Sequence, residues 1–162
     1  MPTNQQILHN NIKKLCEIHE INLEYASKKM GLKLSTLYSF PHLKRGPYLA
    51  TVVAVSKCFN VKMSDLFSND LTSETFSKKS LSVQKVSADD LVFNPQMLYD
   101  NVIQLCRIHN ITLQFFCEQV GTFITSLNSW PDSKEGPYIT TLLDISKYFN
   151  ITVDELVFTD LS

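Results

Sequence analysis

Glycine is scarce in this chain: 162 residues hold only four. A β fold built on many tight turns needs more, so the shortage favours helices. Long apolar runs are missing too, and nothing approaches the ~20 consecutive residues a bilayer-spanning helix requires. The opening Met-Pro-Thr-Asn-Gln-Gln has neither the basic nor the apolar region of a secretory leader. The four cysteines show no CxxC spacing, which points to a reducing compartment, and a cytoplasmic location is expected. There is no nucleophile-and-base arrangement, no glycine-rich phosphate loop and no carboxylate cluster, so neither an enzyme nor a cofactor is expected. No excess of one charge stands out, since the net charge is −1. Taken over the whole chain, that balance argues against nucleic acid as a partner.

What is present is a repeat. Residues 4–71 align with residues 94–161 without a gap at a constant offset of 90, and 26 of the 68 pairs are identical. All four glycines belong to it, as Gly31 with Gly121 and Gly46 with Gly136. Cys16 and Cys106, His19 and His109, Pro41 and Pro131, and Pro47 and Pro137 match likewise. The period is too long for a solenoid and fits two small domains, 1–71 and 94–162. Between them, residues 72–93 carry seven Ser/Thr. The first half of this stretch reads as a polar linker, and Ser87–Leu91 as a capped short helical turn.

Splitting the charge by copy changes the picture. Residues 1–71 hold nine Lys/Arg and five Asp/Glu, giving +4, whereas residues 94–162 hold three and eight, giving −5. A near-neutral average hides two domains of opposite sign, and that bears on partners rather than on fold.

Within the first copy, Ile7, Leu8, Ile12, Leu15 and Ile18 recur at helical spacing and predict an amphipathic helix over 5–19. Asn22 is a candidate N-cap for a helix over 23–30, with Thr112 in its place in the other copy. Gly31 ends that helix as a left-handed residue would. A third helix is expected from Leu34 to Phe40, stopped by Pro41, then a loop over His42–Pro47. Val52, Val53, Ser56 and Phe59 mark a fourth helix over 49–59, and 63–67 a fifth short one. The expected fold is all-α, with two tandem five-helix domains.

A helix, a glycine turn and a short third helix are the parts of a helix-turn-helix. Ala26-Ser27, Gly31, the stretch Lys33–Phe40, Pro47, Thr51, Ser56 and Phe59-Asn60-Val61 together resemble the Cro- and lambda-repressor-like (XRE) family of DNA-binding domains. The second copy repeats the pattern with Phe116-Cys117, Gly121, Phe123–Trp130, Pro137, Thr141, Ser146 and Phe149-Asn150-Ile151. The resemblance covers roughly 50 residues of each copy. Where the family pairs an Arg of helix 1 with a Glu ending the recognition helix, this chain has Cys16 and Pro41, and Cys106 and Pro131. Both partners are replaced together, so no buried charge is orphaned. The family's phosphate-contacting Gln is replaced by Leu23 and Leu113.

The resemblance implies double-stranded DNA as a partner, with the third helix in the major groove. In copy one it assigns base reading to Leu34, Ser35 and Ser39, with Lys33 and Tyr38 beside them, and phosphate contact to Lys33, Lys44 and Arg45. Lys28 and Lys29 are either further phosphate contacts or a solvated face. Copy two has Phe123, Ile124 and Asn128 at these places and the loop Asp132-Ser133-Lys134-Glu135. Acidic groups repel phosphate, and an exposed apolar patch marks a protein contact; the alternative for Phe123 is burial in its own core. Two readings follow. One is a repressor-like transcriptional regulator, acting as a homodimer because one small domain reads few bases. The other is an antirepressor or adaptor that grips another protein through the second copy. Neither involves a membrane. The paired His19 and His109, each alone at a helix end, read as helix-dipole or surface residues rather than metal ligands.

Overall fold

A computed structural model describes residues 2–69, 83–87 and 92–162. Among the described residues all regular structure is helical, and no helix is long and apolar enough to cross a membrane. The chain divides into two compact units, Met1–Val92 and Phe93–Ser162.

In the first unit, α1 (Asn4–Ile18) begins at a capping box. Thr3 Oγ accepts from the Gln6 N–H at 3.2 Å, and the Gln6 side chain accepts from the Thr3 N–H at 2.8 Å. Two donors that the first turn would leave without partners are thereby satisfied. Ile7, Leu8, Ile12, Leu15 and Cys16 form its buried face. α2 (Leu23–Met30) is capped by Asn22, whose side chain accepts from the Tyr25 N–H at 2.8 Å, and ends at Gly31 with φ of 74°. That left-handed angle is why glycine stands there in both copies.

α3 (Leu34–Ser39) is short, and the chain does not break at Pro41 as the sequence suggests. The α-helix closes one residue early, at Ser39, and Phe40–His42 continues as a single 3-10 turn with Pro41 near its start. A proline fits there because the first turn of a helix has no partner for its N–H. α4 (Leu49–Phe59) and α5 (Met63–Leu66) complete the unit.

The second unit repeats the order as α6 (Pro95–Ile108), α7 (Leu113–Val120), α8 (Ile124–Asn128), a 3-10 turn over Trp130–Asp132, α9 (Ile139–Phe149) and α10 (Val153–Phe158). Each unit has its own core. Leu8, Ile12, Leu15, Leu37, Phe40, Leu49, Phe59 and Leu66 are fully buried in the first, and Leu98, Val102, Phe116, Leu127, Leu142 and Leu156 in the second.

Two buried asparagines close these units. Asn11 Nδ2 donates to the carbonyls of Leu66 at 2.8 Å and Ser68 at 3.1 Å. Asn101, its counterpart, donates to Leu156 at 2.8 Å and Thr159 at 2.7 Å and accepts from the Leu161 N–H at 2.9 Å. One amide on the first helix of each unit thus ties that helix to the end of the unit's last helix, using carbonyls that the last helix cannot satisfy itself.

Residues 83–87, within the stretch read as interdomain, belong to the first compact unit. The Gln84 N–H donates to the Cys58 carbonyl at 2.8 Å and the Val86 N–H to the Lys29 carbonyl at 2.7 Å. The linker read over 72–82 and the helical turn read at Ser87–Leu91, apart from Ser87, lie outside the described residues.

Candidate nucleic-acid interface

α3 is held by Leu37, its one buried side chain, so its other residues are free to face outward. Lys33, Ser35 and Tyr38 are exposed, and Leu34 and Ser39 are half-buried. Helical spacing sets Leu34 beside Tyr38 and Ser35 beside Ser39. The Ser39 hydroxyl donates to the Thr36 carbonyl at 2.6 Å. Its proton is therefore committed to its own helix, leaving only acceptor capacity outward. Ser129 makes the same bond to Ser126 at 2.6 Å in the second unit, which marks it as a helix-ending device kept in both copies.

Tyr38 stands 54% exposed, with its ring centroid 6.4 Å from that of His9 on α1. Burial lowers the His9 pKa; the Leu37 carbonyl opposes this, and the positive fields of Lys13 and His42 add to it. His9 Nδ1 is buried without a hydrogen-bond partner among the described residues. Lys13, one turn further along α1, and His42, after α3, thus lie within electrostatic reach of His9. In the second unit the pair is rebuilt: Tyr99, at the His9 position, donates its hydroxyl to Asn128 Oδ1 at 3.0 Å. Asn128 is thus tied to α6 through its oxygen.

The loop with Lys44 and Arg45 follows the 3-10 turn, and both side chains are exposed. Its backbone is fixed from α1, because Gln5 Nε2 donates to the Leu43 carbonyl at 2.7 Å and the Lys44 carbonyl at 3.0 Å. Gln5 is 7% exposed, so these bonds are shielded from water. Sequence reasoning missed this residue, since nothing local connects it to a loop 38 positions away. The second unit has Pro95 there, which has no side-chain donor, and its loop is braced instead by the Gly136 N–H on Ser133 Oγ at 3.1 Å.

Lys28 and Lys29 have partners on their own helix. Lys28 Nζ lies 3.8 Å from Glu24, and Lys29 Nζ sits 5.3 Å from the centre of the Tyr25 ring. Exposed contacts of this kind are weak, so neither cation is locked away from other charges.

The second unit presents a different surface at the same positions. Phe123 is 71% exposed, not folded into its core, and Phe115 is 45% exposed. Ile124 is half-buried beside it. Between α7 and α8 lies a cleft of about 480 Å³ lined by Gln114, Cys117, Glu118, Gly121, Phe123 and Ile124 among others. Asp132 and Glu135 occupy the places of His42 and Arg45. His19 and His109 lie on aromatic rings, 5.9 Å from Phe59 and 5.0 Å from Phe149.

No protein-family model matches this chain, and neither does any curated protein or solved structure.

Proposed function

We propose that the protein is a sequence-specific DNA-binding transcriptional regulator, repressor-like, that reads double-stranded DNA with its first unit. The observation that carries this reading is α2, the left-handed Gly31 turn and α3, which presents Lys33, Ser35 and Tyr38 to solvent ahead of the exposed Lys44–Arg45 loop. In a helix-turn-helix, α3 lies in the major groove. Ser35 then hydrogen-bonds a base edge and Leu34 meets a thymine methyl. Tyr38 and Ser39 flank them, with Ser39 offering acceptor lone pairs. Lys33, Lys44 and Arg45 neutralise phosphates, which supplies most of the affinity and none of the sequence information. The +4 charge of residues 1–71 supports this division of labour. Activity as a homodimer follows from the few base pairs that one small domain can read.

The test separates the two classes of contact. Replacing Lys44 and Arg45 by Ala weakens binding to every sequence and lowers the salt slope by about one per lost phosphate contact. Ser35→Ala changes site preference by about 1–3 kcal/mol and leaves the slope alone. A salt slope unaltered in the double variant removes the loop from the interface.

A second reading rests on the exposure of Phe123. An apolar ring on the surface beside a cleft fits a protein contact, with Phe123 and Ile124 as anchors and the exposed Asn128 amide one helical turn beyond Ile124. On this reading the second unit grips another protein or a second copy, and the whole chain serves as an adaptor or antirepressor.

A further inference from the structure

Residues 83–87 reveal what the groove beside α2 and α4 is shaped to hold. Gln84 and Val86 place two backbone donors, two residues apart, on the carbonyls of Cys58 and Lys29 at 2.8 and 2.7 Å. Both acceptors lie in the last turn of a helix, where carbonyls have no donor within the helix. Val86 is 7% exposed, and Met30, Ala54 and Cys58 along the groove are buried. An extended segment closes two helix ends and shields the apolar side chains between them.

Shifted by 90 residues, the same groove in the second unit is lined by Gln119, Val120, Asp144, Lys147 and Tyr148 around a cavity of about 460 Å³. Among the described residues nothing covers it. Val120 is half-buried where Met30 is buried, Asp144 is exposed where Ala54 is buried, and Tyr148 is 40% exposed where Cys58 is buried. Among the described residues no backbone N–H from outside the helices reaches the Gln119 or Tyr148 carbonyls, the counterparts of those of Lys29 and Cys58. The Tyr148 ring is held 5.8 Å from Phe116 and 5.0 Å from Phe149, so it forms a fixed wall. The charge has changed as well: Lys29 is replaced by Gln119 and Ala54 by Asp144, while Lys147 keeps the place of Lys57, so a lining with two cations becomes one with a cation and an anion, within a copy of net charge −5.

We propose that this groove of the second unit docks an extended, basic segment of a partner protein. The segment gives two backbone N–H groups to the Gln119 and Tyr148 carbonyls, sets an aliphatic side chain against Val120 and Tyr148, and turns its cation to Asp144. Main-chain bonds supply affinity in such a site and the side chains supply selectivity. The chain's own segment 83–87 already occupies the groove of the first unit, which leaves the second for a partner. The groove shares no lining residue with the cleft at Phe123 and does not depend on the DNA-reading assignment.

The probe is a fluorescein-labelled peptide, Leu-Ser-Val-Gln-Lys-Val-Ser, the sequence of residues 81–87, titrated into the full chain and followed by anisotropy. Saturable binding of one peptide per chain is expected, lost when the peptide carries Val86→Asp. Asp144→Lys, an exposed position whose folding is checked by circular dichroism, weakens the peptide by about fivefold or more. A peptide with Lys85→Glu reverses the preference and binds the Asp144→Lys chain better than the unchanged one. Absence of binding would overturn the proposal and assign closure of the groove to Tyr148 itself. Binding indifferent to Asp144→Lys would overturn it by placing the peptide elsewhere. Self-association of the chain that Asp144→Lys abolishes, seen by sedimentation, would give the groove to a second copy.

Discussion

Replacing Gln5 by Ala removes two hydrogen bonds at 2.7 and 3.0 Å from a side chain that is 7% exposed. Each is worth about 0.5–1.5 kcal/mol net. The freed carbonyls lie on an exposed loop and regain water, so the loss falls in the lower part of the summed range, about 1–2 kcal/mol. Trp130 is the only tryptophan and lies in the second unit, so its fluorescence follows that unit alone, whereas circular dichroism follows both. In urea, with a slope of about 1 kcal/mol per molar for so small a unit, the first-unit midpoint drops by about 1–2 M. The Trp130 transition stays in place. On the proposed function, DNA binding weakens for all sequences alike, because the displaced groups are the phosphate contacts proposed at Lys44 and Arg45 and not the side chains proposed to read bases. A loss below about 0.5 kcal/mol, within the range of ordinary surface changes, would refute the claim that Gln5 braces this loop. So would an equal shift of the Trp130 transition.

Other outcomes follow from the same geometry. Asn101→Ala strips three hydrogen bonds from a buried position and destabilises the second unit by about 2–4 kcal/mol, read directly from Trp130 fluorescence. Acidification weakens the first unit: burial lowers the His9 pKa in the folded state, so the unfolded chain binds the proton more readily and stability falls as pH drops through and below 6.5. A His9→Phe variant flattens that part of the urea-midpoint profile. Burial pushes the thiols of Cys16 and Cys106 up to about 11 and that of Cys58 up to about 12, so in folded protein at pH 8 these three react with a disulfide reagent only as fast as their unit opens. Glu20 has a left-handed φ of 55°, an angle its counterpart Asn110 adopts at lower cost, so Glu20→Asn raises the first-unit stability by up to about 1 kcal/mol.

The helices were legible because their signals are local. Thr112 and Asn22 stand at helix starts with their side chains on the N–H three residues on, and Gly31 and Gly121 take the left-handed angle at helix ends. Duplication sharpens this, since the cap at Asn22 or Thr112 and the stop at Gly31 or Gly121 occur in both copies. Pro41 misled by one residue, because a proline that ends an α-helix also suits the start of a 3-10 turn. The exposed positions of α3 follow from helical period once Leu37 is taken as the buried one. Gln5, Asn11 and the segment 83–87 were not legible. Each acts on backbone carbonyls 26 to 57 positions away, and a carbonyl carries no sequence signature. The open groove of the second unit was hidden for the same reason. It shows only when the coverage of Ala54 and Cys58 is set against the exposure of Asp144 and Tyr148.

The most direct measurement of whether the first unit reads DNA is selection of the full chain against a random pool of duplexes. The expected result is enrichment of one motif, with preference at its centre altered by Ser35→Ala and affinity lowered evenly by loss of Lys44 and Arg45. Weak binding that rises and falls with salt, with no motif enriched and no response to Ser35, would contradict it.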